Sequence, residues 1–182
     1  SIALVSDAGM PGICDPGEDL VKRARQAGHD VVCIPGPCAA ITALVSSGLP
    51  SSKFIFEGFL PKKKVEREKT IFEISKNTKT TIIYESPHRL NKLLKELKKY
   101  CGGSRNIVIA RELTKIFEEH LSHNIDELIK LFEDTDPKGE YTILLEGIEK
   151  SKNTNVDKIE LKNELYDLVN IGLSLSAASK YL

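Results

Sequence analysis

A loop rich in glycine, proline and acidic residues follows the first apolar run of the chain. Asp7 comes directly after that run, and the loop continues to Gly17 as SDAGMPGICDPG. Glycines let a backbone turn tightly and approach a ligand, and prolines stiffen the loop. The Asp7 carboxylate could accept hydrogen bonds from a ribose diol or hold a cationic group. The alternative is a structural turn in which Asp7 and Asp15 act as caps.

A second loop of this kind follows the next apolar run, at PGPCAA from Pro35 to Ala40. A helix that starts at Cys38 and Ala39 would offer free backbone N–H groups to a ligand, and its small side chains would leave room for a flat ring. Neither GxGxxG nor GxxxxGK[S/T] occurs. The four histidines form no HExxH pattern and match no cysteine spacing, so the sequence does not indicate a metal site.

Charged residues follow two further predicted strands. Glu85 and Arg89 come after one strand, and Arg111, Glu112 and Lys115 come after another. Either group could be an internal ion pair without a chemical role. Two such groups at one sheet edge, facing the loops of the first half, predict a cleft between two domains. Glu140, before the last strand, is a weaker candidate.

The net charge of zero conceals an uneven distribution along the 182 residues. Lysine and arginine number 26, as do aspartate and glutamate. Residues 60–115 carry fifteen basic and six acidic side chains, whereas residues 116–150 carry three and ten. The basic block could bind a polyanion such as RNA, or it could be a set of solvated helix faces. The residues that we expect to contact RNA are Lys62, Lys63, Lys64 and Arg67.

Strand and helix patterns alternate along the chain, which predicts an α/β fold. The predicted strands cover residues 2–6, 31–34, 54–57, 80–84, 106–110, 118–122 and 140–145, and the predicted helices cover residues 17–27, 38–47, 64–76, 87–100 and 125–133. The first strand, helix and strand form a βαβ unit, so its two strands should be parallel. We place an N-terminal domain at residues 1–59, a second domain at residues 60–150, and a linker with a helical tail at residues 151–182.

Composition bounds the class of protein. A hydrophobic content of 41% and a charged content of 29% exclude collagen-like and disordered chains. The apolar runs are short, so no membrane span is predicted. Cys14, Cys33, Cys38 and Cys101 form no CxxC pair, which favours free thiols in the cytoplasm. The chain opens within an apolar run, so we expect its first domain to be incomplete.

The motifs, in their order, resemble the tetrapyrrole methylase superfamily of S-adenosylmethionine-dependent methyltransferases. They are most similar to its branch that methylates a cytidine ribose 2′-oxygen in 16S ribosomal RNA. The segments that carry the resemblance are SDAGMPGICDPG at 6–17, PGPCAAITAL at 35–44, FEGFLPKK at 56–63, YESPHRL at 84–90, ARELTKIFEE at 110–119 and GEYTILLEG at 139–147.

The resemblance implies two α/β domains with the cofactor in the cleft between them, and a homodimer. It implies that S-adenosylmethionine is the cofactor and that 16S ribosomal RNA or the small ribosomal subunit is the partner. It also implies that a first strand and a Gly-Asn loop precede Ser1 in the family. The cofactor contacts that it implies are Asp7, Ala8, Gly9, Met10, Cys38, Ala39 and Glu140, and the candidates for catalysis are Glu85, Arg89, Arg111, Glu112 and Lys115.

Two other functions remain open at this stage. The same fold could methylate a tetrapyrrole or a protein side chain, in which case no salt-sensitive RNA binding is expected. Alternatively, the chain could be an RNA-binding module without catalysis, in which case no S-adenosylmethionine binding is expected.

Overall fold

The computed structural model describes residues 1–149 and, beyond them, residues 162, 165–166, 168–170 and 174–177. Ser1–Ile148 form one compact unit and Glu149–Leu182 a second. In the second unit, residues 165–166, 168–170 and 175–177 are helical. The linker predicted at the start of the tail lies outside the described residues. None of the described helices has the length and apolar character that crossing a lipid bilayer requires.

A five-stranded mixed sheet organises the first unit, in the order β1-β2-β5-β3-β4. Strands β1 and β2 are parallel, and the other neighbours are antiparallel. The strands are β1 Phe54–Phe59, β2 Thr80–Glu85, β3 Asn106–Arg111, β4 Glu119–Asn124 and β5 Tyr141–Leu145. The helices are α1 Glu18–Gln26, α2 Ala39–Ser47, α3 Lys64–Ser75, α4 Pro87–Cys101 and α5 Ile125–Phe132.

Local sequence signals explain where several elements begin. Pro87 occupies the first turn of α4, where its missing N–H would have no helical partner. Asn124 caps α5: its side chain accepts the Glu127 N–H at 2.9 Å, and the Glu127 carboxylate accepts the Asn124 N–H at 3.2 Å. This capping box fixes the start of α5 at Ile125.

The sheet separates two hydrophobic cores. Helices α3, α4 and α5 cover one face, and the paired Ile83, Ile143 and Ile109 point toward them. Helix α2 covers the other face, where Ala40 and Ala43 pack on Ile82, Leu144 and Val108. The small side chains of α2 allow its backbone to approach the sheet closely. Because side chains alternate along a strand, neighbouring residues of β2 serve different cores.

The N-terminal βαβ prediction is only partly correct. Helix α1 forms as predicted, but residues 2–6 and 31–34 are not strands. Both segments line a cavity of about 1000 Å³, which Leu20 and Val21 of α1 also line. No strand ladder joins residues 2–6 to residues 31–34 in the described structure. Apolar side chains of both segments stay exposed, Ile2 at 94% and Val32 at 79%.

Strand β1 forms at the predicted residues and extends to Phe59. The sequence placed residues 54–57 in the N-terminal domain, whereas the structure pairs β1 with β2 in the main sheet. A bulge between Phe56 and Gly58 interrupts this pairing. The boundary proposed after residue 59 stays a prediction, and the described strands all belong to one sheet.

Candidate functional site

The two glycine-rich loops lie against each other. A Cβ atom added to Gly9 would lie 3.7 Å from the Pro37 carbonyl oxygen, and one added to Gly36 would lie 3.6 Å from Met10 Sδ. Gly9 has a φ of 82°, a backbone conformation that favours glycine. Asp7, Ala8 and Gly9 are exposed, and Met10 is half-buried. The loops therefore meet, although the segments before them form no strand pair.

Helix α2 begins directly after the second loop. Cys38 is its extended N-cap residue, and the Cys38 carbonyl accepts the Thr42 N–H at 2.9 Å. The first N–H groups of a helix have no acceptor within the helix. One of them, the Ala40 N–H, donates to the hydroxyl oxygen of Tyr84 at 2.9 Å. No acceptor for the Ala39 N–H is found within the described part of the chain.

Tyr84 connects this helix terminus to the sheet. Its ring packs edge-on against Phe56, with centroids 5.1 Å apart, and lies 5.6 Å from the ring of Phe59. Burial raises the pKa of Tyr84 to about 12, although the Ala40 N–H opposes this shift. The first loop reaches the same region, since a Cβ atom on Gly58 would lie 2.8 Å from Cys14 Sγ. Sequence reasoning missed Tyr84 as a site residue; its place as the first residue of the YESPHRL motif was the available signal.

Glu85, the next residue of β2, lies on the opposite face and is 2% exposed. Its carboxylate accepts hydrogen bonds from the Arg67 guanidinium at 3.0 Å and from the backbone N–H of Ser86 at 3.0 Å. It also forms an ion pair with Arg89 at 2.7 Å. Arg67 also donates to Glu96 at 2.7 Å. Both Glu85 oxygens are thus occupied, and the cluster joins β2, α3 and α4.

This cluster corrects one RNA-binding prediction. Arg67 is only 4% exposed and is held between the carboxylates of Glu85 and Glu96. A buried, paired guanidinium cannot contact a phosphate, because the contact would require it to leave both carboxylates. Lys62, Lys63 and Lys64 are exposed, as the prediction requires.

A second charged cluster lies after β3 and before β5. Lys115 Nζ lies 2.9 Å from both the Glu112 and the Glu140 carboxylates. The Glu140 N–H donates to Glu112 at 2.9 Å, and the Glu112 N–H donates to the Glu140 carbonyl at 3.0 Å. The Lys115 ammonium and the Glu140 N–H lower the pKa of Glu112. Its two carboxylate partners raise the pKa of Lys115.

Arg111 lies at the same end of the sheet as Glu85. Both residues pair with Tyr141, Glu85 from β2 and Arg111 from β3, so they flank β5 on the α3–α5 face. Arg111 donates to the Lys138 carbonyl at 2.7 Å and lies 3.5 Å from the Glu119 carboxylate. The alternation of side chains thus separates Glu85 and Arg111 from the face that carries α2.

The loop after Arg111 returns to the α2 face. Leu113 packs against the second core, as do Cys38 and Tyr84. The α2 terminus, the end of β2 and the loop that follows β3 therefore all border the second core. We define the candidate site as selected residues of the two loops, the α2 terminus, the end of β2 and the charged cluster after β3: Asp7, Ala8, Gly9, Met10, Cys38, Ala39, Tyr84, Glu112, Leu113, Lys115 and Glu140. Among the described residues, no group of three or more His, Cys, Asp or Glu side chains is arranged to hold a metal ion.

Sequence comparison identifies the family of this chain. Residues 1–129 match the family described as Tetrapyrrole (Corrin/Porphyrin) Methylases. The chain belongs to the tetrapyrrole methylase family. This membership confirms the family resemblance and the predicted fold class, an α/β chain of the tetrapyrrole methylase type.

Two curated relatives illustrate the similarity. A ribosomal RNA small subunit methyltransferase I from Synechocystis sp. is 40% identical over all of this chain, which covers 65% of that protein. The protein of the same name from Vibrio cholerae is 52% identical over 149 residues, covering 81% of this chain and 52% of the relative. The chain thus spans about half to two thirds of the length of these relatives.

Solved structures of the family share the fold. Cobalt precorrin-4 methyltransferase, an enzyme of cobalamin biosynthesis, aligns with a TM-score of 0.56 at 16% identity, over 76% of this chain and 61% of its own. Uroporphyrin-III C-methyltransferase from Thermus thermophilus, complexed with S-adenyl homocysteine, aligns with a TM-score of 0.51 at 16% identity. The alignment covers 75% of this chain and 62% of the chain in that structure. At this identity the likeness concerns the fold alone.

Proposed function

We propose that the complete protein transfers a methyl group from S-adenosylmethionine to small-subunit ribosomal RNA, at the ribose 2′-oxygen of a cytidine in 16S RNA. The observation that carries this proposal is the identity of 40–52% to proteins named ribosomal RNA small subunit methyltransferase I. The more specific target comes from the resemblance of the motifs. Assembly as a homodimer and a cytoplasmic location are further predictions from the sequence.

The residues of the two loops suit a flat ligand with polar edges. Ala8, Gly9, Cys38 and Ala39 have small side chains, and the Ala39 N–H is a free donor at the positive end of α2. The exposed Asp7 carboxylate can accept hydrogen bonds from a ribose diol. When bound, S-adenosylmethionine supplies a methyl group on a positively charged sulfur. We propose these residues, with Met10, as its contacts.

The structure narrows the candidates for acid–base chemistry. Glu85 and Arg89 are engaged in the buried cluster, so we propose that they position β2 and α4. The Glu112–Lys115–Glu140 cluster lies where β3 ends and β5 begins, and Lys115 is half-exposed. A ribose hydroxyl is a weak acid, so a neighbouring carboxylate or ammonium would favour loss of its proton. We therefore propose Glu112 and Lys115 for this role, with Arg111 holding the loop.

A methyl-transfer assay tests the proposal. The complete protein is incubated with labelled S-adenosylmethionine and either 16S RNA or assembled small subunits, and the modified nucleotide is identified by resistance of its 3′ phosphodiester to alkali. We expect Asp7→Asn and Arg111→Gln to abolish transfer. Asp19→Asn and Arg25→Gln, exposed on α1, are the matched controls and should retain it.

Three results would contradict the proposal. Labelling of a porphyrin or a protein instead of RNA would assign the fold to another substrate. The absence of S-adenosylmethionine binding in calorimetry would favour an RNA-binding module without catalysis. Unchanged transfer in both Asp7→Asn and Arg111→Gln would overturn the site assignment.

A further inference from the structure

The hydroxyl of Tyr84 makes a contact that spans 44 positions of sequence and joins β2 to the first turn of α2. The Ala40 N–H donates to Tyr84 Oη over 2.9 Å. Ala40 is 3% exposed, so water has little access to this donor. A buried N–H without an acceptor is unfavourable, and the hydroxyl removes that penalty at one particular position of the helix.

The Tyr84 ring is itself held firmly. Phe56 and Phe59 of β1 pack against it, and the backbone of β2 is paired on both sides, with β1 and with β5. The next residue, Glu85, is anchored to Arg67 and Arg89. The position of the hydroxyl is therefore set by the sheet and not by the loops.

The start of α2 has few other restraints. Its N-cap residue, Cys38, makes no side-chain capping hydrogen bond. The preceding residues 30–37 belong to no strand in the described structure, and residues 32–37 are exposed. Helix α2 packs on the sheet through Ala40, Ala43 and Leu44, but small apolar contacts are not directional. The Tyr84 hydrogen bond supplies a directional restraint at the turn where Cys38 and Ala39 emerge.

We infer that Tyr84 is a positioning residue that presets the Cys38–Ala39 backbone for the adenosyl ligand. This inference rests on the proposed function, because it takes these two residues as ligand contacts. Tyr84 acts through Ala40 and does not itself need to touch the ligand. Its loss should weaken binding by allowing the turn to move, while the groups that carry the chemistry stay in place.

The test replaces Tyr84 with phenylalanine in the complete protein. Tyr84→Phe keeps the ring and its packing on Phe56 and Phe59, so the fold should survive. We expect the dissociation constant for S-adenosylhomocysteine, measured by calorimetry, to rise about tenfold. The KM for S-adenosylmethionine should rise in parallel, while kcat stays within about twofold. Amide exchange at Ala40 should accelerate about tenfold or more, and exchange at Ala43, one turn later, should not.

Tyr100→Phe is the matched control. It removes the same oxygen atom from α4, where the Tyr100 hydroxyl contacts only the exposed Lys99 among the described residues. We expect this variant to bind S-adenosylhomocysteine as the parent does.

Each remaining outcome decides the question. An unchanged dissociation constant in Tyr84→Phe overturns the positioning role, even if the parent binds well. Equal acceleration of exchange at Ala40 and Ala43, with a lower melting temperature, indicates a general structural role and also overturns it. If the parent protein does not bind S-adenosylhomocysteine, the proposed function itself fails and the role of Tyr84 fails with it.

Discussion

The carboxylate of Glu85 and the guanidinium of Arg67 are both withdrawn from solvent, at 2% and 4% exposure. Two arginines and one backbone N–H satisfy Glu85, and two carboxylates satisfy Arg67. Such a cluster is weak evidence for stability by itself, but the loss of one partner leaves a charge that is buried and underpaired. At the scale of single residues, these side chains therefore hold α3 and α4 against the end of β2.

Replacing Arg67 with methionine tests this structural role. We expect Arg67→Met to lower the free energy of unfolding by about 3 kcal/mol, because Glu85 remains buried with Arg89 as its one arginine partner. Urea denaturation measures the change. Lys69→Met, on the exposed face of the same helix, should change the free energy by less than about 0.5 kcal/mol. A similarly small effect of Arg67→Met would contradict the buried pairing.

The Glu112–Lys115 pair predicts a pH dependence of stability. The pKa of Glu112 is lowered from 4.5 on folding. Its contribution to the stability of the fold is therefore full above pH 4.5 and is lost as pH falls through the lower, folded-state pKa. The pKa of Lys115 is raised from 10.5, so its contribution is full below pH 10.5 and is lost as pH rises through the higher, folded-state pKa. Both contributions are therefore present throughout the neutral range.

Lys115→Met tests the cause of the shift at Glu112. Without the ammonium, the pKa of Glu112 should rise toward 4.5, as followed by carbon NMR of the side-chain carboxylate. Lys63→Met removes an exposed lysine that pairs with Glu66, and it should leave the pKa of Glu112 unchanged. If the pKa of Glu112 is the same in the parent and in Lys115→Met, the ion pair between Glu112 and Lys115 is not as described.

At the scale of elements, the main sheet and the N-terminal segments differ in hydrogen bonding. Strands β2, β5 and β3 are paired on both sides and contribute to both cores. Residues 2–6 and 31–34 are mostly apolar, as in strands, but they form no hydrogen-bonded strand pair in the described structure. Protection of amides from exchange depends on hydrogen bonding and burial, so the two regions should behave differently.

Hydrogen exchange of the 182-residue chain measures this difference. We expect the amides of Ile82, Val108 and Ile143 to exchange only with global unfolding, since these residues are fully or almost fully buried in the sheet. The amides of Leu4 and Val32 should exchange orders of magnitude faster. Protection of Val32 equal to that of Ile143 would mean that residues 31–34 form a paired strand in solution.

At the scale of the whole molecule, the zero net charge combines a basic and an acidic region. The basic region includes an exposed lysine run before α3 and the lysines of α4, although Lys92, Lys98 and Lys99 lie within 4 Å of carboxylates. Lys62 and Lys64 have no ion-pair partner among the described residues, whereas Lys63 lies 3.2 Å from Glu66. We therefore propose that the run from Lys62 to Lys64 makes phosphate contacts.

The salt dependence of RNA binding tests this surface. Replacing Lys62, Lys63 and Lys64 with glutamine should reduce the slope of log K against log salt concentration by about 2, if each lysine neutralises one phosphate of single-stranded RNA. Replacing Lys22, Lys53 and Lys130, which are exposed elsewhere, serves as the control. An unchanged slope in the first variant would place the RNA contact on another surface.

Much of the fold could be predicted from local patterns, because they depend on interactions between near neighbours in sequence. The leucines of α4 recur at helical spacing, Pro87 and Asn124 mark helix starts, and each of the five strands of the sheet was predicted to within a few residues. The family resemblance rests equally on short motifs.

Tertiary structure alone decided which polar residues are available for chemistry. Arg67 lies in a basic run and Glu85 in a family motif, yet their burial depends on how α3 and α4 pack on β2. The period of two in a strand predicts that Tyr84 and Glu85 face opposite sides, but not which side carries α2. The Ala40–Tyr84 hydrogen bond joins residues that are far apart in sequence. Such contacts arise from packing between elements, and a local pattern carries no information about them.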